Sequence, residues 1–124
     1  MRLLLAAGLV LMLNGCGAKK PLMVHGKPVR HWIEALQDPD PRARVKAARM
    51  LGNAGAADPT VVPALARVVK DPEAEVRGEA ILALLKIGPE AREAASVVAE
   101  AQKDDDETVR LYAEKALRRI QGDK

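Results

Sequence analysis

The sequence predicts an all-α protein: a short α-α superhelix (an alpha solenoid) of about three stacked units and about six helices. Three observations lead there. A shift of 33 residues aligns Asp38, Asp71 and Asp104 without a gap, and with them Arg44, Arg77 and Arg110, then Leu51, Leu84 and Leu117. Apolar residues between these markers fall at helical spacing and are punctuated by Asp-Pro and Gly. Trp32 and Tyr112 are the only aromatic residues, while alanine and leucine abound, a composition suited to thin helical layers packed over small side chains. Self-similarity at such a period means units that cannot hide their apolar stripes alone and do so by stacking.

Residues 1–15 read as a leader and not as part of the fold. Arg2 gives a positive start, and Leu3 to Leu13 is an apolar run too short to span a bilayer but right for a signal-peptide core. The sequence Leu13-Asn14-Gly15-Cys16 resembles a bacterial lipobox, with the only cysteine of the chain at the position that becomes lipidated. Asn14 departs from the small or aliphatic residue usual there. Residues 16–28 follow as a lipidated cysteine and a flexible tether, with Gly17, Pro21 and Gly26, three lysines and no helical period.

The repeat domain occupies residues 29–121, in units of about Val29–Gly55, Asp58–Gly88 and Ala91–Ile120. Val29, Trp32, Ile33 and Leu36 form one stripe at i, i+3, i+4 and i+7. The 33-residue shift places Val62, Leu65, Ala66 and Val69 in the same columns, and then Ala95, Val98, Ala99 and Gln102. Trp32, the bulkiest member, is expected to close the first end of the stack. The second helices, about Pro41–Ala54, Pro72–Ile87 and Asp106–Ile120, are expected to bury the columns Ala43/Val76/Val109, Ala47/Ala80/Ala113, Leu51/Leu84/Leu117 and Ala54/Ile87/Ile120. Asp58 and Asp71 read as N-caps with proline at the first helical position, and Gly88 as a left-handed helix stop. Glu114 and Arg118 stand where the middle unit has Ile81 and Leu85, which reads as a polar terminal cap on a complete small stack.

The turn Asp71-Pro72 followed by Val76-Arg77, Ala80, Ala83, Leu84 and Ile87-Gly88 resembles the second half of a HEAT repeat. Val62-Pro63-Ala64-Leu65 with Val68-Val69 resembles its first half. The resemblance implies that Asp38, Arg44, Asp71, Arg77, Asp104 and Arg110 form a ladder along the turns, bonding one repeat to the next, and not a catalytic centre. It implies little about function, because this repeat serves very different proteins.

Other chemistry is not supported by spacing. His25 and His31 belong to no metal-ligand pattern and read as surface residues. The run Asp104-Asp105-Asp106-Glu107 lacks the spacing of a calcium loop and suits a helix N-terminus. Ser96 has no histidine near it in sequence, and with Cys16 lipidated no nucleophile remains, so neither an enzyme nor a cofactor is expected. A net charge of +3 with both signs interspersed argues against a nucleic-acid binder.

What remains is a surface. On the second helices the columns Lys46/Glu79/Tyr112, Arg49/Leu82/Lys115, Asn53/Lys86/Arg119 and Val45/Gly78/Leu111 are expected to face away from the core. Leu82, Leu111 and Tyr112 would then form an apolar centre with a basic rim of Lys86, Lys115 and Arg119, the pattern of a protein-binding patch. The expectation is a protein-interaction adaptor or scaffold of the bacterial cell envelope, held at a membrane by its N-terminal lipid, with an unidentified protein partner and neither metal nor nucleic acid. The alternative is an enzyme or a chromophore- or ligand-handling protein, because HEAT-like repeats also resemble those of bilin lyases.

Overall fold

A computed structural model describes residues 19–123. The predicted leader, the whole of Leu13-Asn14-Gly15-Cys16 and the first residues of the tether lie outside the described residues. The chain opens with a hairpin of two short strands, β1 (Met23–Val24) and β2 (Lys27–Pro28), paired antiparallel with Val24 opposite Lys27. Helices α1 (Val29–Ala35) and α2 (Pro41–Ala54) form the first unit. A 3-10 turn at Gly55–Ala57 leads to α3 (Val61–Val68) and α4 (Ala74–Ile87). A 3-10 segment at Gly88–Ala94, bent at Ala91, precedes α5 (Ala95–Ala101) and α6 (Glu107–Ile120).

The second helices form one layer, with α2 against α4 and α4 against α6, and the first helices pack beneath them. The architecture is therefore the predicted all-α superhelix of helix pairs. Its core is built mainly from valine, leucine and alanine: Leu51, Leu65, Ile81, Leu84, Val98 and Ile120 are all essentially inaccessible. Burying a side chain such as Leu84 contributes about 1.5–3 kcal/mol. Because α4 has a neighbour on each side, it is buried over most of its circumference, including Gly78 and Ala83, whereas α6 buries only Val109, Ala113, Ala116 and Ile120.

That lateral stacking corrects four of the sequence columns, the Ala54/Ile87/Ile120 column among them, where Ala54 and Ile87 are half-buried. Val45 and Gly78, expected to face away from the core, are buried, because a helix between two others uses its flanks as well as its base. Ala43 and Leu117, expected in the core, are half-buried at the open flanks of the first and last second helices.

The turn chemistry also differs from the expectation. Asp58 and Asp71 are not N-caps. Each accepts a backbone N–H two residues on, from Thr60 at 2.8 Å and Glu73 at 3.0 Å, so each closes an Asx turn ahead of its helix, with the following proline inside the turn. True capping occurs at Asp40, which accepts from Arg42 N with Pro41 at the first helical position, and at Asp106, which accepts from Val109 N. Gly88 does end α4 at positive φ, but at φ 77° and ψ −139°. This is the extended positive-φ region open essentially to glycine, not the left-handed helical one.

The last part of the predicted tether is structured. His25 and Gly26 both have positive φ, 49° and 74°, as a two-residue hairpin turn matched to the strand twist requires. Val24 is buried, its carbonyl accepts a 3.0 Å bond from Trp32 Nε1, and Val29 N donates to Leu22 O at 3.0 Å. Residues 23–28 thus fold back over the first helix pair. Flexibility is lost there because the hairpin satisfies the one polar atom of a buried indole.

Candidate functional site

The ladder residues are positioned by the turns between first and second helices. Arg44 reaches back with Nη1 to the carbonyl oxygens of Asp38 (2.8 Å) and Pro39 (3.1 Å), and forward with Nε and Nη2 to both oxygens of Asp71 (2.9 and 3.2 Å). Arg77 repeats the arrangement one unit on: Nη1 to the carbonyls of Asp71 and Pro72, Nε and Nη2 to Asp104, both at 2.9 Å. Arg110 binds the carbonyls of Asp104 and Asp105 in the same way. Planar guanidinium suits this two-sided role, since one edge fixes the turn and the other grips a carboxylate bidentately.

The pairs are largely shielded: side-chain exposure is 14% for Arg77 and 13% for Asp104. Burial alone pushes the Asp104 carboxyl up, but the Arg77 bonds, the Asp106 backbone N–H and a bond from Asp105 outweigh it and hold it below the ordinary carboxylate range. Arg77 is correspondingly raised, first by its bond to Asp104. Arg44–Asp71 and Arg77–Asp104 thus join successive units, whereas Arg110 bonds to carbonyls of its own turn and Asp38 accepts from the Asp40 N–H.

The predicted surface patch is divided by the structure. Leu82 and Tyr112 do line one depression, of about 390 Å³, between α4 and α6. Its floor includes Gly78 and Val109. The Tyr112 ring lies beside Gly78 of α4, where a Cβ would stand in ordinary contact, 3.5 and 3.6 Å from Tyr112 Cδ2 and Cε2. Leu111, 48% exposed, points elsewhere and lines a separate hollow with Gln102, Glu107, Arg110 and Glu114. Consecutive residues on a helix diverge by about 100°, so Leu111 and Tyr112 do not share a face.

The rim also differs. None of Lys86, Lys115 and Arg119 lines the depression. Lys86 donates to Asn53 Oδ1, Arg119 lies against the Gly88 turn, and Lys115 is exposed one turn along α6. Glu75, Glu79 and Asp106 line it instead. Glu79 shares the Tyr112 column, but Glu75 and Asp106 were missed because the sequence was compared within columns, whereas the depression mixes the first turn of α4 with the N-cap of α6. Glu79 is gripped from outside by Arg49, at 3.0 and 3.1 Å, and the Arg49 guanidinium is raised first by that bond.

Both histidines are exposed, and His31 stands edge-on to Trp32 with ring centroids 4.9 Å apart. Among the described residues no group of three or more His, Cys, Asp or Glu side chains is placed to hold a metal ion, and no helix is long and apolar enough to cross a membrane.

Repeated helix pairs, buried columns and a ladder of Arg–Asp turns define a superhelical repeat protein. A family profile describing HEAT repeats matches residues 29–118, and the chain belongs to that family. Among solved structures the chain is similar to the crystal structure of an engineered protein, a structural-genomics target, with 24% identity and a TM-score of 0.59. That match covers 76% of this chain and 45% of the other, and it speaks to the fold alone. No curated protein gives a significant match.

Proposed function

We propose that the protein is a protein-interaction module, not a catalyst, carried on a lipid anchor at Cys16 in the bacterial cell envelope. The observation that supports the module is the depression between α4 and α6, where Leu82 and Tyr112 stay partly accessible although neither the ladder nor the core columns need them there. Leaving an aromatic ring with a polar tip half-buried beside a leucine is the composition of a binding hot spot. Support for the anchor comes from the sequence Leu13-Asn14-Gly15-Cys16 after an apolar run. A lipid there places the hairpin end of the stack nearest the bilayer.

Fractionation tests the anchor. The full chain should stay with membranes through a high-salt wash, and Cys16→Ser should move it to the soluble fraction. Retention of the serine variant would remove the lipid from the account. Partner capture tests the module: crosslinking from a benzophenone placed at Leu82 should give a discrete adduct that the same group at exposed Glu90 does not give.

A further inference from the structure

The geometry points to a specific chemistry for the partner: the α4–α6 depression takes a basic side chain, lysine or arginine, presented on an apolar peptide segment. The inference rests on the interaction-module reading above. Its apolar lining comes from Gly78, Leu82, Val109 and the Tyr112 ring, while Glu75, Glu79 and Asp106 also line it and no lysine or arginine does. Two of those carboxylates are already used, Glu79 by Arg49 and Asp106 by the Val109 N–H. Glu75 is exposed and takes part in no ion pair among the described residues. Glu79 is paired with Arg49 through both oxygens, whereas Asp106 keeps its charge after a backbone bond, so Glu75 and Asp106 draw a cation toward the ring.

Lysine and arginine fit both parts of this surface. Their aliphatic stems cover apolar floor while the charged head reaches outward, and a cation over the tyrosine face gains from the ring quadrupole. A neutral segment gains from the floor only, and an acidic one also meets repulsion at the rim. The basic rim expected from the sequence would have selected the opposite partner, and it is the observed carboxylates that reverse the choice.

The test uses the full chain and two fluorescein-labelled, end-blocked ten-residue peptides, one alternating lysine with leucine and one alternating glutamate with leucine, followed by anisotropy at 0.15 M salt. The lysine peptide should bind and the glutamate peptide should not. Glu75→Lys should weaken binding about tenfold or more, since reversing a charge beside the site costs more than removing a rim contact. Glu90→Lys, an exposed carboxylate that does not line the depression, should leave binding unchanged, and Leu82→Ala should weaken it without loss of helicity. Equal binding of both peptides, binding of neither, or equal effects of Glu75→Lys and Glu90→Lys would each overturn the assignment. So would concentration-dependent self-association abolished by Glu75→Lys, which would make a second copy the occupant. Membrane fractionation and the Leu82 crosslink are read independently, so the module can stand where this partner chemistry falls.

Discussion

Gly52 on α2 and Ala83 on α4 bring the two helices together so closely that a Cβ on Gly52 would stand 3.0 Å from both Cα and Cβ of Ala83. This contact sets the spacing of the first two second helices, and it fixes the sign of a simple experiment. Glycine to alanine in a helix interior ordinarily gains up to about 1 kcal/mol. Here the new methyl meets backbone, which cannot rotate away, and overpacking of this kind costs about 1–3 kcal/mol. Gly52→Ala should therefore lower stability in urea unfolding. A rise would mean that α2 and α4 are not in register at this point.

The Arg77–Asp104 pair should outweigh the Arg49–Glu79 pair. Arg77 and Asp104 are mostly buried, and hydrogen bonds to charged groups in such settings contribute about 1.5–3 kcal/mol. Arg49 is 58% exposed, where screening and side-chain entropy leave a pair with about 0–1 kcal/mol. Double-mutant cycles with Arg77→Met and Asp104→Asn, and with Arg49→Met and Glu79→Gln, would rank them. Equal coupling energies would contradict the ladder as the joint between units.

Acid unfolding provides a second measurement on the same pair. The Asp104 carboxyl is held below its ordinary range, so its contribution is present above its unfolded value of about 3.9 and is lost as pH falls through the lower folded value. Melting temperature should therefore fall steeply below about pH 4. Asp104→Asn, already destabilised at neutral pH, should lose less on acidification than the parent chain. Parallel pH profiles for the two would show that Asp104 is not held down in the folded state.

At the hairpin end, Trp32→Phe keeps the buried ring but removes the donor to Val24 O. Losing that buried bond costs about 0.5–1.5 kcal/mol, and protection of the 23–28 amides from exchange should fall with it. Unchanged exchange would mean that the indole bond does not hold the hairpin down.

The long-range order of this fold was legible because it is periodic. Asp71 predicts Asp104, and Arg44 predicts Arg77, by a fixed shift, and the resemblance to HEAT repeats implied that these residues bond one unit to the next. Local geometry was less legible. Asp-Pro reads equally as a cap with proline in the first turn or as an Asx turn ahead of it, and only the N–H at Glu73 decides between them. The hairpin was hidden because two-residue strands carry no alternation and His25 is an uncommon residue at positive φ. Most consequential was the rim of the depression. Glu75 and Asp106 belong to different columns of different units, and the packing of α4 on α6, not the 33-residue shift, puts them around one tyrosine.

Gly78 offers the counterpart to Gly52 and joins stability to the surface. It too lies inside a helix and is buried, but its built Cβ meets only the edge of the Tyr112 ring, at 3.5 and 3.6 Å, an ordinary van der Waals separation. Alanine there gains helix propensity without overpacking, so Gly78→Ala should raise stability by about 0.5–1 kcal/mol. The same methyl fills part of the floor on which a partner's side chain would rest. Binding of the lysine–leucine peptide should fall while the urea midpoint rises, opposite signs from one substitution. If Gly78→Ala destabilised the chain as Gly52→Ala is expected to, the Tyr112 ring would be packed more tightly on α4 than these distances allow, and no accessible floor would lie beneath it.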